Sequence, residues 1–191
     1  VSPSQKENMV ESGLKNLNRL EALVNNILTA SRLDSGRFEL LKESILLQDS
    51  VSDSINRMSM HLDSKGINVH NKIPDNTEVI ADARAVEIIL NNLLHNAIKY
   101  APSSEITFTS NTDNTHLELL YTDTGPGIKP ELLKPMFQKF YRGENEETRT
   151  QKGTGLGLYL IKELTELHRG SVIAKNVQPK GLQIVIKLPK T

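Results

Sequence analysis

The sequence predicts an α/β fold: a two-layer sandwich of one mixed β-sheet with helices on one face, preceded by a long N-terminal helix. Two observations predict this class. The stretch from Ser4 to Leu33 contains no proline and repeats apolar residues at close to a three-four spacing, which is the pattern of a helix. After residue 36, strand-like and helix-like patterns are interspersed without strict alternation, which favours a mixed sheet with helices over one face.

The long helix and the remaining chain are two predicted domains. Residues 1–36 end in the turn sequence Asp34-Ser35-Gly36, a typical helix stop, and residues 37–191 make up the sandwich. A lone helix of this length cannot bury its own apolar stripe. We therefore expect this part either to stay monomeric with an exposed stripe or to pair between chains, in a non-native dimer, through the helix over 4–33.

The composition excludes several classes of function. The 23 Lys and Arg residues are balanced by 23 Asp and Glu residues, so no basic field favours nucleic acid. No apolar run approaches the roughly 20 residues that span a bilayer, and the absence of cysteine excludes disulfides and thiolate chemistry. We expect a soluble, cytoplasmic chain that binds no nucleic acid.

Local patterns predict the elements of the sandwich. Strands are short apolar or alternating runs, and helices are amphipathic repeats bounded by turn residues. The predicted elements are strand Phe38–Leu41, helix Leu46–Ser64, strands Ile67–Ile73 and Glu78–Ile80 joined by a turn at Pro74–Asn76, a helix from Asp82 to about Tyr100, paired strands Glu105–Ser110 and Leu117–Tyr121, a short helix near Glu131–Leu133, helix Gly155–His168, and strands Val172–Lys175 and Leu182–Lys187. Asp82 is the expected N-cap of its helix.

The first of three polar motifs lies on the helix after Asp82, where residues 92–100 read NLLHNAIKY. Asn92, Asn96 and Lys99 share one face of the helix, at i, i+4 and i+7. Amide oxygens are suitable ligands for a Mg²⁺ ion that shares its charge with phosphates, and a lysine can add a point charge to those phosphates. Taken alone, the pattern also fits the polar stripe of a surface helix.

The second motif is the stretch from Asp123 to Ile128, which reads DTGPGI. Asp123 ends an apolar strand, where its carboxylate can accept a hydrogen bond from an exocyclic amine such as that of adenine. Gly125 and Gly127 allow the backbone to turn tightly and to approach a flat ring. Taken alone, the motif also fits a common Asp-x-Gly turn.

The third motif is the stretch from Gly153 to Leu158, which reads GTGLGL and precedes an apolar helical pattern. Its backbone N–H groups, with a helix N-terminus behind them, can hold phosphates. It is not a P-loop, because no Gly-Lys-Ser/Thr follows, and no βαβ unit surrounds it. The alternative is a flexible hinge.

A polar segment separates the second and third motifs. Residues 143–152 are almost free of apolar side chains and follow the aromatic anchor Phe137 and Phe140-Tyr141-Arg142. An aromatic anchor followed by a polar segment is what we expect of a mobile lid that closes over a charged ligand.

In this order and spacing, the four stretches resemble the N box, first glycine box, F box and second glycine box of the catalytic domain of sensor histidine kinases. That domain has the Bergerat ATP-binding fold. The resemblance covers about Phe38 to Pro189. Residues 19–36, which read RLEALVNNILTASRLDSG, resemble the second helix of the family's dimerisation and phosphoacceptor hairpin.

The resemblance implies a Mg²⁺-ATP site. The metal would bind Asn96, the adenine amine would be read by Asp123, and the two tyrosines of the site would lie against the nucleoside. The residues implied to bind the nucleotide are Asn92, Asn96, Lys99, Tyr100, Asp123, Gly125, Gly127, Ile128, Tyr141, Arg142, Lys152, Gly153, Thr154, Gly155, Leu156, Gly157 and Leu158. Those implied to act in catalysis are Asn92, Lys99 and Arg142.

One position distinguishes kinases from hydrolases among proteins that share these motifs. In the gyrase, mismatch-repair and heat-shock ATPases, a glutamate four residues before the metal-binding asparagine activates water. Here that position holds Asn92, which cannot act as a base. The resemblance therefore favours phosphoryl transfer, as a protein-histidine kinase, over hydrolysis.

The chain departs from the family pattern at the phosphate acceptor. Family members use a histidine in a His-Glu/Asp-x-x-Thr/Asn-Pro motif on the first hairpin helix, whereas none of the histidines here precedes an acid or lies in the N-terminal helix. These are His61, His70, His95, His116 and His168. We expect them to be surface or packing residues, and we expect a chain that binds ATP without phosphorylating itself, because the acceptor helix is missing from it.

The implied partners are the acceptor hairpin of an intact kinase and a cognate response regulator in two-component signalling. The parent protein is expected to be a homodimer anchored at the inner face of a bacterial membrane. Two alternatives stay open: a Ser/Thr kinase of the anti-sigma-factor type, which shares the motifs, and a nucleotide-sensing interaction module in which ATP closes the lid without transfer.

Overall fold

The computed structural model describes residues 3–142 and 154–190, and the chain divides into two compact units, residues 1–38 and 39–191. The first unit consists of helix α1, Pro3–Asp34. It ends as predicted: Gly36 takes the left-handed backbone (φ +65°), and the N–H of Arg37 donates to the carbonyl of Arg32 at 2.8 Å, the geometry of a glycine helix stop. That α1 is a hairpin helix stays a prediction.

Helix α1 exposes an apolar stripe. Its exposed members lie at a spacing of three and four residues, so that they share one side of the helix; they are Leu17, Leu20, Val24, Ile27 and Leu28. No helix in the described part of the chain is both long and apolar enough to cross a membrane.

The second unit contains three helices and seven strands among its described residues. In chain order these are β1 (Lys42–Leu46), α2 (Leu47–Asp63), β2 (Asn68–Asn71), β3 (Glu78–Asp82), α3 (Ala83–Tyr100), β4 (Glu105–Thr112), β5 (His116–Asp123), α4 (Gly157–Leu167), β6 (Ser171–Asn176) and β7 (Leu182–Pro189), with short 3₁₀ helices at Pro130–Leu132 and Pro135–Phe137. The predicted α/β sandwich is confirmed.

Five strands form a mixed sheet in the order β2-β4-β5-β7-β6, in which only the β2–β4 pair is parallel. Strand β5 alternates buried and half-buried residues along its whole length, so one face of the sheet lies against the helices. The core between the layers includes Leu90, Leu93, Leu94, Ile106, Phe108, Leu117, Leu160, Ile161 and Leu164, each at most 1% exposed. Burial of each such side chain contributes about 1.5–3 kcal/mol.

The strands in the structure differ from the prediction in two respects. The strand expected at Phe38–Leu41 is wrong, because the first strand is β1, Lys42–Leu46, which pairs with β3 in a separate two-stranded antiparallel sheet. The two expected strands Ile67–Ile73 and Glu78–Ile80, joined by a turn, form as β2 and β3, and they belong to different sheets. Local patterns identify strands, whereas the choice of partner depends on contacts distant in sequence.

The start of α3 is held by a buried hydrogen-bond network. As predicted, Asp82 caps the helix: its Oδ1 accepts from the N–H of Ala85 at 2.9 Å, while its Oδ2 accepts from the N–H of Leu41 at 2.8 Å. The N–H of Asp82 lies 3.0 Å from Nε2 of His168, and Nδ1 of His168 lies 2.7 Å from the carbonyl oxygen of Leu164. His168 must therefore be neutral, donating from Nδ1 and accepting at Nε2.

The pKa values of this network follow its geometry. Burial would raise the pKa of the Asp82 carboxyl, but hydrogen bonds from Leu41, Ala85 and Arg84 outweigh burial and hold the pKa below its ordinary value. Burial lowers the pKa of His168, which its hydrogen bond to Leu164 only partly offsets. A proton on Nε2 would face the N–H of Asp82, so charging His168 opposes the folded arrangement.

Acid should therefore destabilise the second unit through His168. Unfolded chains protonate histidine near pH 6.5, while the folded chain takes up this proton only at lower pH. The stabilising contribution is fully present above about pH 6.5 and is lost as the pH falls towards the folded pKa. Replacing His168 with Gln should cost roughly 1–3 kcal/mol and flatten the dependence of the unfolding free energy on pH between about 7 and 5, measured by denaturant titration.

The matched control is His116→Gln at the first residue of β5, where the side chain is 36% exposed and the contact between His168 and Asp82 is left intact. The loss of stability in acid that arises from His168 should persist in this variant. A His168→Gln chain with the parent's slope would show that another group titrates.

Candidate nucleotide-binding site

Asn92 and Asn96 direct their amide oxygens towards the N-terminus of α4. Asn92 is 6% exposed, and its Nδ2 donates to the carbonyl of Ile88 at 2.8 Å, which fixes the orientation of its side chain. A Cβ added to Gly157, the first residue of α4, would lie 2.8 Å from Oδ1 of Asn92 and 3.7 Å from Oδ1 of Asn96. Glycine at 157 therefore allows α3 and the start of α4 to approach closely.

Asn96 retains a polar atom without a partner. Its Nδ2 is buried and has no hydrogen-bond partner among the described residues, and such atoms are uncommon in folded proteins unless a ligand or water satisfies them. Among the described residues, no group of three or more His, Cys, Asp or Glu side chains could hold a metal. A cation beside these asparagines would meet neutral protein oxygens and would need negative charge from a ligand, as Mg²⁺ bound to phosphates has.

Asp123 is the buried acid of the site, and three donors surround it. Its Oδ1 accepts from the N–H of Gly125 at 2.9 Å and from the N–H of Leu182 at 3.2 Å, and its Oδ2 accepts from the hydroxyl of Tyr121 at 3.0 Å. The residue as a whole is 6% exposed. It therefore ties the end of β5 to the following turn and to the start of β7.

The glycine turn after Asp123 packs closely against the end of α3. A Cβ on Gly125 would lie 2.7 Å from Cβ of Ala101, so a larger residue has no room there. Gly127 has φ +73°, a conformation that favours glycine. The backbone of Ile128 is held at both ends by Asn176, which accepts from its N–H at 2.9 Å and donates to its carbonyl at 2.6 Å.

The residues just before α4 are held in place by the backbone of Phe140 and Tyr141. The N–H of Phe140 donates to the carbonyl of Gly155 at 3.1 Å, and Gly155 has φ +69°. A Cβ on Gly155 would lie 2.7 Å from the carbonyl oxygen of Tyr141. Leu156 is 1% exposed, which anchors the segment, while Thr154 and Leu158 are half-buried.

The predicted basic and aromatic residues lie nearer the surface. Nζ of Lys99 lies 2.5 Å from the hydroxyl of its neighbour Tyr100, which is 42% exposed. Tyr141 is half-buried and Arg142 is exposed. The expected lid, residues 143–152, lies outside the described residues, and so do the predicted ligands Lys152 and Gly153.

Several residues at the site were missed by the sequence reasoning. Tyr121 and Leu182 contact the Asp123 carboxylate, Asn176 holds Ile128, and Ala101 packs on Gly125. A signal existed for Tyr121, because residues two apart on a strand share one face. The other contacts join segments that are distant in sequence, and no local pattern marks them.

Comparison with known proteins places this arrangement in a family. Residues 81–191 match the family described as histidine kinase-, DNA gyrase B-, and HSP90-like ATPase. A sensor-like histidine kinase of Rhizobium meliloti is 34% identical over 172 residues, which are 89% of this chain and 33% of that protein. The chain spans about a third of the length of the curated relatives that it matches.

Solved structures share the fold at lower identity. The histidine kinase AdeS of Acinetobacter baumannii has a TM-score of 0.80 at 24% identity, over 97% of this chain and 85% of that chain. Full-length ShkA in complex with AMPPNP has a TM-score of 0.80 at 22% identity, over 98% of this chain and 39% of that chain. The chain thus belongs to the family of histidine kinase-, DNA gyrase B- and HSP90-like ATPases, and it contains an ATP-binding catalytic domain of the sensor histidine kinase type.

Proposed function

We propose that the second unit binds Mg²⁺-ATP and transfers the γ-phosphate to a histidine of a hairpin helix in two-component signal transduction. The proposal rests on one observation: a buried carboxylate and a pair of asparagine amide oxygens both lie in the second unit. A buried acceptor, Asp123, lies at the end of β5, and two asparagine oxygens face the N-terminus of α4. The first suits a base with an exocyclic amine, and the second suits a metal and phosphates.

In the proposed complex, Asp123 accepts a hydrogen bond from the adenine amine. The turn of Gly125, Gly127 and Ile128 lies along the base, since glycine leaves space for a flat ring. Tyr100 and Tyr141 lie against the nucleoside. The support for this end of the site is the burial of Asp123 and the hydrogen bond that holds the turn beside it.

At the phosphate end, Asn96 holds Mg²⁺ with Asn92 nearby, and Lys99 and Arg142 contact the phosphates. The unpartnered Nδ2 of Asn96 supports a polar ligand at this position. When bound, Mg²⁺ would neutralise charge on the phosphate chain. The backbone of Gly153 to Leu158 and the N-terminus of α4 would add N–H donors and the positive end of the helix dipole.

The chemistry proposed is phosphoryl transfer without hydrolysis. The bond between the γ-phosphorus and the bridging oxygen of ADP breaks, and a nitrogen–phosphorus bond forms on the acceptor imidazole. Asn92 has an amide that cannot take a proton from water, so the position offers no general base for hydrolysis. The protein's role is then to position the nucleotide and to stabilise its charge.

The partners proposed are an acceptor hairpin and a response regulator. A solved structure of the histidine kinase ThkA is a complex with the response regulator protein TrrA, and its fold likeness to this chain supports a partner of that kind. We place α1 as the second helix of the hairpin, and the parent protein as a homodimer anchored at the cytoplasmic face of a bacterial membrane.

Transfer can be tested with γ-labelled ATP, Mg²⁺ and a separate hairpin that carries an acceptor histidine. We expect acid-labile, base-stable label on the hairpin and none on this chain. Label on a serine of an added antagonist protein would favour the Ser/Thr kinase alternative. Binding of ATP without any label would favour the interaction module and contradict the proposal.

Gly157→Ala should weaken nucleotide binding while the fold is kept. The added Cβ would lie 2.8 Å from Oδ1 of Asn92, so the asparagine must move from its position, although alanine itself favours a helix. We expect the affinity for Mg²⁺-ADP to fall by about tenfold, which corresponds to roughly 1.4 kcal/mol, in a calorimetric titration.

Gly13→Ala is the matched control, since an added Cβ there meets no atom within 4 Å. It should bind as tightly as the parent chain. Unchanged affinity in Gly157→Ala would mean that the start of α4 does not contribute to the site.

A further inference from the structure

A buried tyrosine lies behind the carboxylate proposed to read the base. Tyr121 precedes Asp123 by two residues on β5, so both side chains lie on the face of the sheet covered by helices. The two residues are 2% and 6% exposed. The hydroxyl of Tyr121 donates to Oδ2 of Asp123 at 3.0 Å.

Counting the acceptor positions of Asp123 leaves one for a ligand. A carboxylate has about four lone-pair positions, two on each oxygen. Oδ1 accepts from the N–H groups of Gly125 and Leu182, and Oδ2 accepts from Tyr121. Within the described residues, one position remains, and it is on the oxygen that Tyr121 also contacts.

The tyrosine is held in place and stays a donor. Its ring packs edge-on against Phe108, with 5.6 Å between ring centroids and an interplanar angle of 67°. Burial raises the pKa of Tyr121 well above its ordinary value, and the charge of Asp123 and the hydrogen bond to it raise the pKa further. The hydroxyl therefore keeps its proton at any physiological pH.

We infer that Tyr121 is a specificity-determining residue that restricts the Asp123 carboxylate to one donor direction, and so selects 6-aminopurine over 6-oxopurine nucleotides. This inference rests on the proposed function. Tyr121 does not contact the nucleotide in this account and acts through Asp123 as a positioning residue.

The chemistry of the two bases explains the selection. The amine of adenine carries hydrogens that one acceptor position can receive. Hypoxanthine has a carbonyl at the same ring position, and two acceptors facing each other lose a hydrogen bond and repel. The nearest hydrogen-bond donor of hypoxanthine is the ring N–H next to this carbonyl, and that N–H must approach Oδ2 from another direction. The hydroxyl of Tyr121 occupies one of the two directions at this oxygen.

The test compares Mg²⁺-ADP with Mg²⁺-IDP, which differ at the sixth ring position, in calorimetric titrations of the parent chain and Tyr121→Phe. The substitution deletes one oxygen and keeps the ring. In the parent we expect a clear preference for ADP. In Tyr121→Phe we expect the ratio of ADP to IDP affinity to fall by about tenfold, because the freed direction at Oδ2 lets the ring N–H of IDP make one hydrogen bond to a charged group.

Phe108→Leu is the matched control, because it loosens the packing around the Tyr121 ring and leaves the hydroxyl in place. It should lower the melting temperature and leave the ADP to IDP ratio unchanged. Tyr121→Val is a second deletion of the hydroxyl, in a residue suited to buried strands, and carries the same expectation as Tyr121→Phe.

The outcomes separate this inference from the proposed function. A parent chain that binds neither nucleotide overturns both. A parent chain that prefers ADP, with Tyr121→Phe and Tyr121→Val keeping that preference, overturns the inference and leaves the proposed function standing. A ratio that falls equally in Phe108→Leu would mean that Tyr121 acts by packing alone, which also overturns it.

Discussion

The buried carboxylate of Asp123 is the contact on which the candidate site depends. It joins the end of β5, the glycine turn and the start of β7 through three donated hydrogen bonds. Hydrogen bonds to a charged group contribute about 1.5–3 kcal/mol each, and a buried charge that loses its donors costs at least as much. The backbone also closes tightly here: a Cβ on Gly181 would lie 1.9 Å from the carbonyl oxygen of Asp123, so only glycine fits.

The second constraint is the position of α3, the helix that carries Asn92 and Asn96. Its first turn is fixed by Asp82, whose carboxylate accepts from the first turn of the helix and whose own N–H lies against His168 at the end of α4. The close approach at Gly157 joins the same two helices nearer the site. Helices α3 and α4 are therefore in contact at two places, near His168 and near Gly157. These contacts fix the distance between the asparagine oxygens and the N-terminus of α4, and a metal-phosphate ligand requires such a fixed distance.

The sequence predicted what is local and missed what joins distant segments. The cap at Asp82 and the glycine turn after Asp123 were visible, because each depends on residues within one turn of chain. The positions of the three motifs were visible too, since glycine and asparagine stand out against apolar helices. The pairing of β1 with β3 was not predicted, since these strand contacts, like the hydrogen bond from Leu41 to Asp82, join residues distant in sequence. The hydrogen bond between Asn176 and the backbone of Ile128 joins residues 48 positions apart, and no local sequence pattern predicts it.

The most direct test of the account is the calorimetric titration of Mg²⁺-ADP into the parent chain and into Asp123→Asn. An asparagine that keeps its oxygen towards the N–H groups of Gly125 and Leu182 places an N–H₂ group at the position of Oδ2, and so offers the adenine amine no acceptor. The matched control is Asp113→Asn in the β4–β5 turn, where the side chain is 59% exposed and lies at the opposite end of β5 from Asp123. We expect saturable binding to the parent and to the control, and a loss of affinity of at least about tenfold in Asp123→Asn. Equal affinity in Asp123→Asn and the parent, or no binding to the parent, would contradict it.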